Sequence, residues 1–265
     1  MTQEVVSSPS NPLLKRYRKL KSAKHRDRER ATVVEGIAPV WHAVDNAEIE
    51  TILVSPSLLK SEEAAARVES ARAGGTTVVE LTPEAFESIA DRDNPSGLAA
   101  VVKTTETALS DVTVVADSLV AVVADVASPG NLGTIVRTAD AVGAAVIVTG
   151  DSTDPWHPAC VKASMGTVFT TQVATASRPE DVLSWCKSSG ITVVTTSAHA
   201  ADEHWEAAYE LPAAIVLGSE RHGLPPDVLA QGDVQVKIPM SGSASSLNLA
   251  VACGILLYEA RRLTR

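Results

Sequence analysis

The sequence predicts an α/β protein, with a parallel sheet and crossover helices in its second part and a smaller α/β unit before it. Of its 265 residues, 45% are hydrophobic but only 3% are aromatic, so Val, Ala, Leu and Ile must fill the core, as in buried parallel strands. Short apolar runs alternate with helical segments, which is typical of strands joined by crossover helices. The length suits either two modest domains or one large one.

The first part of the chain alternates helix and strand signals. Helices are predicted over residues 13–30, 37–46 and 57–73 and from Thr82 onward, and strands over 32–36, 51–55, 76–81 and 98–103. Gly74-Gly75 ends one helix, and Thr82 and Pro83 supply the cap and the first position of the next. The polar stretch 104–111 lacks a pattern and is interpreted as a linker. We therefore expect domains at residues 1–105 and 112–265.

The second part repeats the alternation more regularly. Strands are predicted over residues 119–125, 145–149, 168–173, 191–196 and 213–217, after an extended lead-in or short strand at 112–115. Helices are predicted over residues 132–142, 159–165 and 179–189, with Gly143 and Gly190 as end signals. A last short strand ends at Ile238-Pro239-Met240, and a terminal helix follows. This order predicts a parallel sheet.

The charged residues are unevenly distributed. The net charge is -9, yet residues 15–30 contain nine bases and only two acids. Such a segment is either a solvated helical face or an edge that meets a polyanion such as nucleic acid.

Cysteine usage and hydropathy bear on the compartment. Cys160, Cys186 and Cys253 are far apart and odd in number, without a disulfide framework or metal-ligand spacing. A reducing cytoplasm is the simpler interpretation, and no metal is expected. The N-terminus lacks the apolar core of a signal peptide, and no apolar run is long enough to span a membrane.

A first motif follows the predicted strand at 119–125 and reads S-P-G-N-L-G-T-I-V-R-T-A-D-A-V-G. Asn131, Gly133 and Arg137 then lie beyond the carboxyl end of a strand, where open α/β sheets bind ligands. The glycines match neither a dinucleotide fingerprint nor a P-loop. The alternative is a tight turn with a solvent-facing arginine.

A second motif, V-L-G-S-E-R-H-G-L-P, follows the strand at 213–217. His222 beside Ser219 suggests a hydrolase, but the chain has no G-x-S-x-G elbow, so a serine nucleophile is disfavoured. We interpret His222 as an exposed loop residue. Glu220 is either a helix-cap acid or a site residue.

A third motif, I-P-M-S-G-S-A-S-S-L-N-L-A, precedes the terminal helix. Its small residues let a ligand or another backbone approach closely. A serine-rich stretch before an apolar run is also an N-cap signal, and a helix start attracts anionic groups. A capped helix packed on the core and a ligand-binding turn are compatible interpretations.

Together these three motifs resemble those of the SpoU (TrmH-like) RNA ribose 2′-O-methyltransferases of the SPOUT class, over residues 112–265. The first part resembles the small ribosomal-protein-like substrate-binding module of that family, through N-P-x-x-K before the basic helix, V-V-E-G at 33–36 and N-P-S-G-L-A-A-V-V at 94–102. The resemblance implies a SPOUT-type parallel sheet with a deep trefoil knot, a homodimer and S-adenosyl-L-methionine as methyl donor.

The resemblance also implies roles for individual residues. The adenosine of the cofactor would be held by Thr196, Leu217, Gly218, Ile238, Met240 and Leu247. Arg137 would accept the proton of the 2′-hydroxyl; because a guanidinium is normally protonated, it alternatively stabilises the alkoxide or holds a phosphate. Asn131 and Glu220 would orient Arg137, and Ser246 and Asn248 would position the nucleotide and the knot loop.

The expected function is S-adenosyl-L-methionine-dependent 2′-O-methylation of RNA, with large-subunit (23S) ribosomal RNA as substrate. The N-terminal module and the basic segment favour a large folded RNA. A transfer RNA substrate is one alternative, and an antibiotic-resistance methyltransferase acting on ribosomal RNA is another. Outside this class, the alternative is a non-catalytic RNA-binding protein, against which the presence of all five predicted catalytic residues argues.

Overall fold

The structure, a computed structural model, describes residues 5–91, 93–207 and 210–262. The chain divides into two compact units. Unit 1 comprises Met1–Thr105 and Trp156–Thr170, and unit 2 comprises Glu106–Pro155 and Thr171–Arg265. The segment Trp156–Thr170, which the sequence-based division assigns to the second domain, thus clusters with unit 1. There Thr32 Oγ1 donates a hydrogen bond of 2.7 Å to the Trp156 carbonyl.

The elements follow in chain order. Within the described ranges the helices are α1 (Pro12–Leu20), α2 (Ala23–Glu29), α3 (Ile37–Asn46), α4 (Glu62–Ala73), α5 (Pro83–Glu87), α6 (Pro129–Val142), α7 (Pro158–Ala163), α8 (Pro179–Ser188), α9 (Pro226–Leu229) and α10 (Leu249–Arg262). The strands are β1 (Ala31–Glu35), β2 (Ile49–Val54), β3 (Val78–Glu80), β4 (Leu98–Lys103), β5 (Leu119–Ala124), β6 (Ala145–Thr149), β7 (Val173–Ala176), β8 (Thr192–Thr196), β9 (Asp202–Glu203), β10 (Ala213–Leu217) and β11 (Val234–Lys237).

Unit 1 contains a mixed sheet of four strands in the order β1-β4-β2-β3. β4 pairs antiparallel with β1 and β2, and β2 pairs parallel with β3. Helix α1 packs its apolar side into this unit, where Leu14, Tyr17 and Leu20 are buried together with Val33 and Phe86. The basic segment of the sequence is therefore partly a core element.

Unit 2 contains a parallel sheet of seven strands in the order β7-β6-β5-β10-β8-β11-β9. The central strands β5 and β10 are buried throughout, and they pair in register from Leu119 with Ala213 to Val123 with Leu217. Helices α8 and α9 cover one face, whereas α6 and α10 cover the other. Strands buried on both faces need continuous apolar runs, which these sequences supply.

The α/β class with a parallel sheet is confirmed, but several boundaries differ from prediction. The strand expected at 168–173 is wrong: Thr167–Phe169 is a 3-10 turn, and β7 begins at Val173. Val168 is instead buried with unit 1 after a left-handed Gly166, so its apolar side chain serves a different core. The helix expected at 13–30 is broken at Lys21 and Ser22.

Two further predictions concern the knot and membrane-spanning segments. The deep trefoil knot implied by the resemblance stays a prediction, because strand order alone does not define a knot. None of the helices in the described part of the chain has the length and hydropathy of a transmembrane span.

An ion-pair network in unit 1 ties α1 to the sheet. Arg16 contacts Glu29 and Glu50, each at 2.7 Å, and Lys103 contacts Glu50 at 2.8 Å. Burial favours the neutral form of Glu50 and raises its pKa. The hydrogen bonds from Arg16 and Lys103 outweigh burial and hold the pKa of Glu50 below its ordinary value. The charged form of Glu50 therefore stabilises the fold.

We predict that Glu50→Gln lowers the free energy of unfolding by about 1 kcal/mol near pH 7. Because the pKa of Glu50 is depressed in the folded protein, its contribution to stability is complete above the ordinary glutamate pKa of about 4.3. That contribution is lost as the pH falls through the pKa of Glu50 in the folded protein. Denaturant titrations between pH 7 and pH 3 should thus show a difference that shrinks in acid. Glu87→Gln is the control, because Glu87 is exposed and has no ion pair within the described ranges. A constant difference across this pH range would contradict the prediction.

Candidate functional site

Three loops of unit 2 surround a cavity at the carboxyl ends of neighbouring parallel strands. β8, β10 and β11 end at Thr196, Leu217 and Lys237, and residues at and after these ends line one cavity of about 480 Å³. This is the position where open parallel sheets bind ligands, and the volume lies within the range of about 300–1,000 Å³ for small-molecule sites. All six residues predicted to hold a cofactor line the cavity: Thr196, Leu217, Gly218, Ile238, Met240 and Leu247.

The turn after β10 requires glycine at its start. An added Cβ at Gly218 would lie 2.1 Å from the Gly223 carbonyl carbon, so no side chain fits there. Ser219 and Gly223 form a β-bridge, and Ser219 Oγ accepts a hydrogen bond from the His222 backbone amide at 3.1 Å. The second motif is therefore a tight turn closed on itself, with Glu220, Arg221 and His222 exposed at its tip.

The third motif approaches the cavity as an exposed loop that leads into α10. Met240 and Leu247 are large apolar residues that remain 37% and 36% exposed while lining the cavity. Helix α10 begins at Leu249, and Asn248 Oδ1 accepts hydrogen bonds from the backbone amides of Ala250 at 2.9 Å and Val251 at 3.4 Å. The side chain that caps this helix is thus an asparagine rather than a serine.

One side chain connects all three motifs. Asn131, in the first turn of α6, donates from Nδ2 to Glu220 Oε1 at 2.8 Å. Its Oδ1 accepts from Asn248 Nδ2 at 3.0 Å. Three of the five predicted catalytic residues therefore form one hydrogen-bonded chain, and Glu220 also lines the cavity.

The other two predicted catalytic residues are placed differently. Ser246 is exposed and lines the same cavity as Glu220. Arg137 is exposed on α6, six residues after Asn131, which turns it about 120° away around the helix axis. Within the described residues of this chain, Arg137 forms no hydrogen bond or ion pair with Asn131 or Glu220. The catalytic roles of these residues stay predictions.

The cavity also includes residues that sequence reasoning did not assign. Ser197 and His199 follow the end of β8, and Lys237 ends β11. The available signal was their position just beyond a strand end, which the motifs did not cover. Arg221 and His222, noted in the second motif without a role, line the same cavity.

The basic segment of unit 1 contains few free charges. Six of its nine bases have partners: Arg16, Arg18, Lys21, Arg26, Arg28 and Arg30. Lys15, Lys19 and Lys24 are exposed and have no such partner in the described part of the chain. Lys15 and Lys19 lie four residues apart, on one face of α1.

Across the described residues, no group of three or more His, Cys, Asp or Glu side chains is arranged to hold a metal ion. The three cysteines are buried, and burial raises the pKa values of Cys186 and Cys253 to about 12. These two thiols are therefore poor nucleophiles at neutral pH.

Two family models match the chain. One, described as the SpoU rRNA Methylase family, matches residues 118–258, and the other, described as an MRM3-like substrate binding domain, matches residues 11–100. Together they span unit 2 and unit 1 in large part.

The chain is similar to proteins with related descriptions. It is 30% identical over 257 residues to the 23S rRNA (guanosine(2553)-2′-O)-methyltransferase RlmP of Bacillus subtilis, covering 97% of this chain and 98% of RlmP. It is 30% identical over 238 residues to the 23S rRNA (uridine(2479)-2′-O)-methyltransferase of Streptomyces viridochromogenes, covering 87% and 82%. The crystal structure of an AdoMet-bound rRNA methyltransferase from Sinorhizobium meliloti superposes with a TM-score of 0.87 at 35% identity, covering 98% and 97%.

We predict that Gly218→Ala weakens binding of S-adenosyl-L-methionine, the cofactor that the sequence resemblance implies, by about tenfold or more. The new methyl group would displace the backbone of the turn, and overpacking typically costs 1–3 kcal/mol. Isothermal titration calorimetry measures the affinity. Gly242→Ala is the matched control, because its Cβ would meet nothing within 4 Å. Wild-type affinity in Gly218→Ala would show that the cofactor does not use this turn.

Proposed function

Because the chain belongs to the SpoU rRNA methylase family, we propose that it transfers a methyl group from S-adenosyl-L-methionine to a ribose 2′-hydroxyl of 23S ribosomal RNA. The observation that carries this proposal is the hydrogen-bonded chain Glu220–Asn131–Asn248 at the edge of the cavity. RlmP and the Streptomyces enzyme differ in their target base, but both names specify 23S rRNA and the ribose 2′-oxygen.

The cavity suits the cofactor in size and lining. Leu217, Ile238, Met240 and Leu247 offer apolar side chains to a purine and ribose, and Gly218 offers backbone without a side chain. Covering the exposed surfaces of Met240 and Leu247 with a ligand would remove apolar area from water. When bound, the cofactor supplies a methyl group that its sulfonium has already activated.

The protein must then align the 2′-hydroxyl and assist loss of its proton. Positioning alone contributes much of the rate in such a displacement. Glu220 and Asn248, both held by Asn131, keep the second and third motifs in register, and Ser246, which lines the same cavity as Glu220, reaches the nucleotide. Arg137 stabilises the developing alkoxide or accepts its proton.

In a homodimer, Arg137 of one copy would complete the catalytic site of the other copy. Arg137 lies on the exposed face of α6, and α10 packs against α6 so closely that Gly254 approaches Thr138. On α10, Val251 and Tyr258 are 51% and 56% exposed, which gives an apolar surface suited to a second copy of the chain. We infer that this surface forms the dimer interface, with the arginine of one copy serving the site of the other.

Unit 1 supplies RNA binding in this proposal. It matches a substrate-binding family model, and Lys15, Lys19 and Lys24 offer free positive charge on its surface. With ribosomal RNA as substrate, the protein works in the cytoplasm.

The proposal is tested by mapping 2′-O-methyl groups on ribosomal RNA from cells with and without the gene. We expect one or more 23S rRNA sites to lose methylation in the deletion strain and to regain it with the wild-type gene. Arg137→Ala should fail to restore it, with transfer reduced about a hundredfold or more, because the developing charge loses its stabiliser.

Two controls make the outcome specific. Arg178→Ala removes another exposed arginine of unit 2 and should restore methylation. Sedimentation should show the same dimer for wild type and Arg137→Ala. Unchanged 23S rRNA methylation in the deletion strain would contradict the proposed function. Full restoration of methylation by Arg137→Ala would contradict the proposed role of Arg137.

We also predict that replacing Lys15, Lys19 and Lys24 by Gln weakens RNA binding and flattens its salt dependence. Each lost phosphate contact should reduce the slope of log K against log[salt] by about 0.7–0.9, so the triple variant should lose about two to three. Filter binding with a 23S rRNA transcript at several salt concentrations measures this slope. Lys60→Gln removes an exposed lysine outside the basic segment and should change it little. An unchanged slope in the triple variant would refute the role of the segment.

A further inference from the structure

Unit 2 has few positive charges, and three of its arginines, Arg178, Arg261 and Arg262, are engaged by hydrogen bonds or ion pairs. It contains eight Lys and Arg residues against 17 Asp and Glu, whereas unit 1 has 15 of each. Four bases of unit 2 lack a hydrogen bond or ion pair in the described part of the chain: Arg137, Lys187, Arg221 and Lys237. Two of these, Arg221 and Lys237, line the cavity. In a unit that repels polyanions overall, half of the free bases in the described ranges thus line this one cavity.

The turn that carries Arg221 is anchored at several points. Gly223 donates a backbone hydrogen bond to the Ser219 carbonyl at 3.0 Å, and Leu224 beyond it is buried. Glu220 is bound to Asn131. Arg221 and His222 lie between these anchors, exposed, and their side chains bond to none of the described residues. The backbone is held while two donor side chains remain available.

We propose that Arg221, with His222 beside it, binds a backbone phosphate of the RNA next to the target ribose. This inference rests on the proposed function and assigns residues to its substrate. A guanidinium matches phosphate with two parallel hydrogen bonds, and the imidazole offers a further N–H donor. Because Glu220 and Arg221 are consecutive, a phosphate held by Arg221 fixes the RNA strand relative to the hydrogen-bonded chain at Glu220. Arg221 and His222 are therefore substrate-positioning residues.

The test compares RNA binding with cofactor binding in the full-length protein. The variants are Arg221→Ala, Arg221→Lys and His222→Ala, and the matched control is Lys187→Ala. Lys187 is also an exposed, free base of unit 2, but it lines a separate cleft with Thr192 and Val234, at the amino ends of β8 and β11. Affinity for a 23S rRNA transcript is measured across salt concentrations, affinity for S-adenosyl-L-methionine by calorimetry, and kcat and KM for RNA by methyl transfer.

We expect Arg221→Ala to raise Kd and KM for RNA about tenfold and to reduce the salt slope by about one, with cofactor affinity unchanged. Arg221→Lys should keep the salt slope and recover part of the affinity, because it retains the charge but not the paired donors. His222→Ala should have a smaller effect of the same kind, and Lys187→Ala should resemble wild type.

Three results would overturn the inference. Loss of cofactor affinity in Arg221→Ala, with RNA binding intact, would assign Arg221 to the carboxylate of S-adenosyl-L-methionine. An equal loss of RNA affinity in Lys187→Ala would show that the loss in Arg221→Ala comes from the reduced net positive charge and not from a specific phosphate contact. Wild-type RNA binding in Arg221→Ala, with methyl transfer intact, would refute the phosphate contact while leaving the proposed function standing. Failure of the wild-type protein to methylate RNA would instead contradict the proposed function.

Discussion

The two hydrogen bonds of the Asn131 side chain are the constraint on which the site depends. They join residues 89 and 117 positions away in sequence, and so bring the second and third motifs to the first turn of α6. A carboxamide suits this position because it donates and accepts at once. An aspartate would set a second carboxylate against Glu220, and a serine would be too short to reach both partners. The three motifs therefore act together through one residue.

The parallel sheet determines where the second and third motifs meet and which cavity they line. Because β8, β10 and β11 are parallel neighbours, the loops after them emerge at one edge and enclose one cavity. The tight turn after β10 at that edge needs a residue without bulk, which accounts for Gly218. The apolar lining and the polar chain then lie side by side: one part suits a cofactor, and the other suits a hydroxyl and its proton.

Much of this arrangement was predictable from sequence, for identifiable reasons. Continuous Val- and Ala-rich runs predicted the buried strands, and the position of motifs after strand ends predicted that they would meet. The resemblance added six predicted cofactor residues, all of which line the cavity; their binding of the cofactor stays a prediction. The inferences about the strands and the meeting of the motifs succeed because they depend on local periodicity and on a general property of parallel sheets.

Other features depend on tertiary contacts that no local pattern encodes. The sequence of the basic segment predicts a uniformly charged surface. In the structure, however, Arg16 pairs with Glu50 and Lys21 pairs with Asp91, which are both distant in sequence. Val168 lies in the sequence T-V-F-T-T, which is typical of a strand, but its side chain is buried in unit 1. The direction of Arg137 follows from helix geometry only once α6 is known to begin at Pro129 rather than at residue 132.

The distribution of charge connects the fold to the handling of RNA. A unit with 17 acids and eight bases does not attract a polyanion along its whole surface, so non-specific binding by unit 2 should be weak. Unit 1, with equal numbers of acids and bases and an exposed lysine face, offers a more favourable approach. A phosphate that reaches the cavity of unit 2 then meets Arg221 and Lys237, two of the four free bases in the described part of that unit. In the proposed function, affinity and positioning would thereby be separated: the lysines of unit 1 would contribute binding that is sensitive to salt, and the rim of the cavity would select the strand that is correctly placed.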